Sequence, residues 1–402
     1  MNRSILHIDV NSAYLSWTAV EMLKNGADED IRLIPSAIGG DPEARHGIIL
    51  AKSEPAKKFG IKTAMTLPEA KRLCPALKIF PPDHSKYRGY SDRLYDLLSE
   101  YTDVIERFSI DECWMDYTGS EKIFGPPETA ACDISNRVRR ELGFTVNIGI
   151  SVNKLLSKMA SEMEKPNKIH TLYPNEIEEK MWPLQAGELF GVGRSAVNTL
   201  AGYGLLTIGD IARADSAVLK NVLKPAMGMM VYERANGIDD SPVMREEEYE
   251  RKVIGHSDTT PADLRTEEEA FYYILSQSER VGQRLRKEGK RAGVVSLQLK
   301  NSAFKTYRHQ KKLPEPLSAS SDIYAVACAL FREMWRGDDL RLLGVSLSDL
   351  SDAKEGDVQL SLFGEIDTEQ TEKQKEKDVL EETQDLIRKR FGKDAITRGT
   401  LL

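Results

Sequence analysis

The chain has 402 residues, of which 41% are apolar and 30% charged, and carries a formal net charge of −7. Such a length and apolar content allow about two to four domains, each with its own core. No apolar run approaches the ~20 residues of a membrane helix. The start lacks a signal-peptide pattern, and Cys74, Cys113, Cys132 and Cys328 show no metal-type pairing, so a cytosolic protein with reduced core thiols is expected.

In chain order, Ser4 to Val10 alternates as a strand and Ser12 to Lys24 follows as a helix. A short strand, Ile48 to Ala51, precedes a helix start at Glu54 to Phe59. A further helix runs from about Ser85 to Tyr101. Two strand-like runs, Val104 to Ile110 and Cys113 to Tyr117, flank the acidic pair Asp111-Glu112. The helix Glu128 to Leu142, the strand Thr145 to Val152 and the helix Lys154 to Met163 come next. This order predicts a split βαβ, ferredoxin-like sheet.

Carboxylates in strands that read as core need compensation by a cation or a metal. Asp9 ends the first strand, and Asp111 and Glu112 lie in the later hairpin. Convergence of the three would create repulsion that two divalent ions relieve, and hard oxygen ligands point to Mg²⁺, with Mn²⁺ as a substitute. Strict alternation places Asp111 and Glu112 on opposite faces, so a bend is required for both to reach one centre. The alternative is that the pair lies in a solvated turn.

Beyond the first sheet, Glu188 to Asp210 contains Gly191, Gly193 and Arg194 before a helix, with a second turn at Gly204. It reads as a helix-hairpin-helix whose free amides suit phosphate, or as a simple helical hairpin. Asp239 to Arg251 reads as a linker. Arg251 to Leu350 then forms an α+β unit with helices at Thr266–Lys287 and Ser320–Trp335, and strands near Gly293–Leu299 and Leu340–Leu347. Ten Lys or Arg stand against one acid, Glu288, between Arg284 and Lys312. That stripe suits nucleic-acid phosphates unless it is a solvated face.

Several motifs together resemble the Y-family DNA polymerases of the bacterial DNA polymerase IV type. They are Ile8-Asp9-Val10-Asn11-Ser12-Ala13-Tyr14, Ser109-Ile110-Asp111-Glu112, and Ser151-Val152-Asn153-Lys154 leading to Lys165-Pro166. The resemblance runs from about Ile5 to Phe363. It implies an α+β multidomain protein: a catalytic palm at 1–11 and 84–172, fingers at 12–83, and a helix-hairpin-helix thumb at 173–240. A linker at 241–251 and a little finger at 252–350 follow, then a tail at 351–402.

The resemblance further implies template-directed, two-metal nucleotidyl transfer with low-fidelity translesion synthesis. Asp9 and Asp111 would hold both ions, Glu112 the one nearer the primer, and the carbonyl of Val10 would complete the nucleotide-side ion. Asn11, Ser12, Ala13 and Tyr14 would cradle deoxynucleoside triphosphate, with Lys57 and Lys165 on its phosphates. Tyr14 would be the steric gate against a 2′-hydroxyl; on spacing alone a core aromatic is the commoner reading at such a position, and it is the reading preferred for Tyr87. Glu54 stands where the family commonly has a tyrosine on the triphosphate, and Lys57 where it has an arginine. Gly191, Gly193, Arg194, Lys300, Lys305, Arg308, Lys311 and Lys312 would contact primer–template DNA. Gln359, Leu360, Ser361, Leu362 and Phe363 resemble the sliding-clamp peptide of bacterial replication proteins. A monomer is expected. Rival readings are a clamp-tethered DNA-binding factor without catalysis and a nucleotide cyclase. Lys373 to Phe391 reads as a charged amphipathic helix with no assigned role.

Overall fold

The computed structural model describes residues 3–40, 47–353, 368–392, 395, 396 and 399. These fall into two compact units that divide at Tyr249 and Glu250. The expected clamp peptide, 359–363, lies outside the described residues.

The first unit is built on a sheet of β1 (Ile5–Val10), β5 (Ile105–Arg107), β6 (Glu112–Asp116), β7 (Val146–Ser151) and β8 (Ile169–Thr171). Their order is β5-β6-β1-β7-β8, so β1 is central and antiparallel to both neighbours. The predicted split βαβ order is thus observed, with β8 added parallel to β7 at one edge. On one face of the sheet, Leu6, Ile8, Val10, Cys113, Met115, Val146, Ile148 and Ile150 join the main core. Pairing of β1 with its neighbours puts His7 and Asp9, Trp114 and Glu112, and Gly149 and Asn147 on the other face.

The helix Lys154–Ser161 covers that second face. Asn153 caps it by accepting from the Leu156 N–H. Its approach depends on Gly149, because a Cβ there would lie 1.9 Å from the Ser157 carbonyl oxygen and 2.4 Å from the Ser161 nitrogen. No side chain fits that gap.

A second, three-stranded sheet of β2 (Ser36–Gly39), β3 (Ile49–Lys52) and β4 (Lys78–Phe80) has the order β3-β2-β4. It is backed by a small core of Ala37, Ile49, Ala56, Ile61, Leu67 and Leu77. A helical region follows β8. There the helices Arg194–Ala201 and Ile208–Arg213 flank a turn at Tyr203-Gly204, which fits the predicted helix-hairpin-helix. Gly191 has φ +87°, and a Cβ there would strike the Arg234 guanidinium, which donates to the Phe190 carbonyl. Gly193, by contrast, caps the helix in extended conformation with open space around it, so its lack of a side chain is not forced by the turn.

The second unit has a four-stranded sheet of β9 (Val253–Leu264), β10 (Lys290–Asn301), β11 (Thr306–Leu317) and β12 (Leu340–Asp352), ordered β11-β10-β12-β9. Helices Glu267–Lys287 and Ser320–Met334 cover one face, where Ile274, Val281 and Phe331 pack on Val295, Leu297 and Leu299. Three of the four cysteines, Cys74, Cys113 and Cys328, are buried thiols; Cys132 is exposed rather than in the core, and all four are free.

The helix Thr368–Phe391 is docked on this unit through charge. Arg286, a member of the predicted basic stripe, is no surface cation: it pairs with Glu381 at 3.0 Å and Asp385 at 2.7 Å. Glu381 also accepts from the Ser320 hydroxyl, and Arg388 pairs with Glu279. Breaking a buried ion pair from one side leaves an uncompensated charge. Glu381→Ala should therefore cost about 3 kcal/mol and lower the melting temperature of this unit by roughly 10 °C, read by calorimetry.

Candidate active site

The end of β1 is where the polar chemistry gathers. Asp9 and Glu112 are direct partners across the antiparallel pair, and Asn147 stands opposite Asp9 on the other side. Like charges so placed destabilise a sheet. A third carboxylate, Glu162 at the end of the Lys154–Ser161 helix, joins them, and one oxygen of each lies within 4.8 Å of the others. Sequence reasoning did not pick out Glu162. The sequence pattern points to Asp111 beside Asp9 and Glu112, and the Asp111 carboxylate falls outside this group.

Two lysines answer the three acids. Lys165 Nζ lies 2.7 Å from Asp9 Oδ2 and 2.9 Å from Glu162 Oε2. Lys158 Nζ lies 2.7 Å from Glu112 Oε2 and 2.9 Å from Glu162 Oε1. Glu162 thus receives one lysine on each oxygen; burial raises its pKa, but both lysines outweigh that and hold it at about 2. Asp9 behaves differently. Burial pushes it up to about 7 against the opposing pull of Lys165. Glu112 is lowered on balance, since His7 and Lys158 overcome the cost of burial.

His7 lies wholly buried beneath the acids. Its Nδ1 is 2.7 Å from Ser161 Oγ and its Nε2 3.5 Å from Glu112. Burial lowers it to about 4, so it stands neutral at pH 7 and braces Glu112 without adding charge.

Asp111 occupies the hairpin turn. Phe108 N and Ser109 N both donate to the Glu112 carbonyl, and Val10 N donates to the Asp111 carbonyl at 3.0 Å. The turn supplies the bend that alternation required, but it orients the Asp111 carboxylate to the Ser109 hydroxyl, at 2.6 Å. Burial raises the Asp111 pKa. Its charge is felt by the Tyr14 hydroxyl, whose own pKa is raised first by burial and then by Asp111.

Strand β1 passes into the helix Ala13–Lys24 through Ser12, in the left-handed region at φ 47°. The first-turn amides of that helix have no carbonyl partner within it. Tyr14, half-buried, stacks on Tyr87 with ring centroids 4.5 Å apart and 10° between planes. Tyr87 is itself core, with its hydroxyl 2.9 Å from Thr18 Oγ1, as the helix reading expected. Glu54 pairs with Lys57, so that acid sits on the lysine expected to meet phosphate.

In the second unit the basic candidates divide. Register places Lys300, Arg308 and Lys312 on the face away from the helices, where Arg308 donates to Gln298 at 2.7 Å. Lys311 pairs with Val295 and so points to the helix-covered side at the sheet edge. Lys305 is in the turn before β11, 5.1 Å from the Tyr307 ring.

All three clustered acids offer hard oxygen donors, and burial keeps the Asp9 pKa raised even with Lys165 beside it. That residual cost fits a set of residues able to take a divalent cation. Profiles of the impB/mucB/samB family and of its C-terminal domain match residues 8–162 and 251–362. The chain belongs to the Y-family of DNA polymerases. It is 46% identical over 402 residues to DNA polymerase IV of Clostridium acetobutylicum, covering 100% of this chain and 99% of that one. Identity to DNA polymerase IV of Alkaliphilus oremlandii is 37% over 405 residues, with all of both chains covered. Against DNA polymerase IV 1 of Bacillus subtilis it is 35% over 401 residues, covering 100% of this chain and 94% of that one. Among solved structures, a Y-family DNA polymerase chimera of Dbh and Dpo4 shares the fold, with a TM-score of 0.74 at 21% identity. The likeness covers 87% of this chain and 99% of the chimera. Among the described residues, no helix is long and apolar enough to cross a membrane.

Proposed function

We propose that this Y-family member is a template-directed DNA polymerase that adds deoxyribonucleotides to a primer 3′ end and copies past damaged bases. The observation that carries the reading is the registered pair of Asp9 and Glu112, with Lys165 beside Asp9 and the Tyr14 helix opening next to them. Asp9, Glu112, the Val10 carbonyl and Asp111 would hold two Mg²⁺ ions, with Mn²⁺ able to substitute. When bound, such ions lower the pKa of a primer hydroxyl and neutralise a departing pyrophosphate.

Within this reading the chain's own groups bind and orient. Lys165 exchanges Asp9 for a triphosphate oxygen, while Glu162 keeps a second hold on it. The backbone amides of Ser12 to Tyr14 receive phosphate oxygens at the helix start, while the Asn11 N–H is held by the Thr145 carbonyl. Lys57 joins them once released from Glu54. The five-stranded sheet serves as palm, the three-stranded sheet as fingers, the helix-hairpin-helix region as thumb and the second unit as little finger. Gly191, Gly193 and Arg194 would take DNA phosphates in the thumb, and Lys300, Lys305, Arg308 and Lys312 in the little finger. Residues 359–363 would tether the enzyme, a cytoplasmic monomer, to the sliding clamp.

Tyr14 tests the reading most directly. Its ring is braced flat on Tyr87, so a 2′-hydroxyl meets a wall that cannot yield. Tyr14→Ala should raise the relative kcat/KM for ribonucleotides by about 100-fold, on the order of 3 kcal/mol, measured by single-nucleotide primer extension. Unchanged sugar discrimination would rule out the assignment.

A further inference from the structure

Asn147 is a polar side chain with no exposed surface, near the start of a strand whose other face is core. Its amide uses its full bonding capacity. Oδ1 accepts from Asn11 Nδ2 at 3.0 Å and from the Lys168 backbone N–H at 3.2 Å. Nδ2 donates to the Ser161 carbonyl at 3.2 Å and the Glu164 carbonyl at 3.0 Å. Only a primary amide offers two donors and two acceptor lone pairs in one small planar group.

The backbone groups it grips belong to one loop. Ser161 closes the helix on the sheet, Glu164 precedes Lys165, and Lys168 leads into β8. Asn11 completes the hold, since its Oδ1 accepts from the Asn167 N–H at 2.8 Å and from the Thr145 hydroxyl at 2.9 Å. Lys165 therefore stands in a loop fixed on both sides by two asparagines, one at the end of β1 and one beside Asp9 in register. A lysine side chain has several free rotations. Where its ammonium can reach depends on where its backbone is held.

We propose that Asn147 is a positioning residue for nucleotide binding, holding the 161–168 loop so that Lys165 presents its ammonium at the Asp9 end of β1. The inference rests on Lys165 contacting the triphosphate, as proposed above. Replacing the amide frees the loop from Ser161 to Lys168, which carries Glu162 as well as Lys165, and removes one bond to Asn11. The share of its effect routed through Lys165 is what a double-mutant cycle isolates.

The experiment is a double-mutant cycle on the full chain, using primer extension with Mg²⁺ and a single deoxynucleoside triphosphate. Asn147→Ala should raise KM for the nucleotide about tenfold, change kcat less than about threefold, and leave primer–template affinity unchanged. In a Lys165→Met background the same substitution should add less than about twofold to KM, because the group it positions is gone. Asn147→Ser, which keeps a hydroxyl, should fall between wild type and alanine, and carries the test if the alanine variant does not fold. Equal increases in KM with and without Lys165 would overturn the proposal, as would a loss confined to kcat or DNA affinity. If Lys165→Met leaves KM unchanged while Asn147→Ala raises it, the assignment of Lys165 fails, and this inference with it.

Discussion

Replacing Asp9 with asparagine should lower the rate of nucleotide addition on the order of 10³-fold, the scale of a preorganised electrostatic group. Binding of primer–template DNA should stay within about twofold, since phosphate contacts set that affinity. Asparagine matches aspartate in shape and can still accept from Lys165 with its carbonyl oxygen. What it loses is the charge that a cation needs. Asp9 faces Glu112 directly across the sheet, and burial pushes its pKa up to about 7. Deprotonation is the condition for holding a cation, so metal affinity of the unaltered enzyme should rise as pH rises through about 7 and level off above it. The variant should show no such step. Single-turnover extension, gel retardation and Mn²⁺ binding across pH measure the three quantities. Near-normal turnover of the variant would remove Asp9 from the chemistry. Asp111→Asn is the informative companion: loss of extension there would mean that bound cations recruit a carboxylate that lies outside the Asp9–Glu112–Glu162 group.

Much of the site's frame was legible because burial and charge conflict openly in the sequence. Asp9 closes a strand whose Leu6, Ile8 and Val10 are plainly core, and that conflict marks the residue. The hairpin was equally readable, although its first strand ends at Arg107 rather than Ile110, because the Glu112 carbonyl bonds both Phe108 N and Ser109 N and closes the turn early. Helices with a clear apolar stripe, such as Glu267–Lys287 and Ser320–Met334, fell within one residue of expectation. Strands β9 and β11 did not, for a physical reason. Both are sheet edges, where one side of the backbone needs no partner. Their sequences carry Pro261, Pro314 and Pro316 among charged residues, which blurs alternation.

The two missed groups at the site differ in cause. Asn147 gave the same signal as Asp9, a polar residue in an apolar strand, and could have been read the same way. Glu162 gave none. Its carboxylate reaches Asp9 only because a helix lies on β7, and the depth of that packing is set by a glycine two positions from Asn147. The docked helix Thr368–Phe391 is similar: its charges pair with Arg286 and Glu279, acids and bases about a hundred residues apart in sequence.

Gly149→Ala should be among the most damaging single substitutions in the first unit. The added methyl would meet backbone atoms, the Ser157 oxygen at 1.9 Å and the Ser161 nitrogen at 2.4 Å, and not the yielding end of a side chain. Overpacking in a dense interior costs about 1–3 kcal/mol when side chains can adjust, and more when backbone must move. A cost of at least about 3 kcal/mol is a large share of the 5–15 kcal/mol that holds a typical domain. The helix has one escape, which is to lift from the sheet. Lifting would carry Ser161 from His7, Glu162 and Lys158 from the acidic cluster, and the loop bearing Lys165 from Asn147. The variant should therefore melt well below the unaltered protein and, where still folded, lose nucleotide addition while its second unit melts as before. Calorimetry on the full chain separates the two transitions. A variant with an unchanged first transition and normal activity would show that the helix tolerates a wider seat, and that its contact with β7 does not set the geometry of the site.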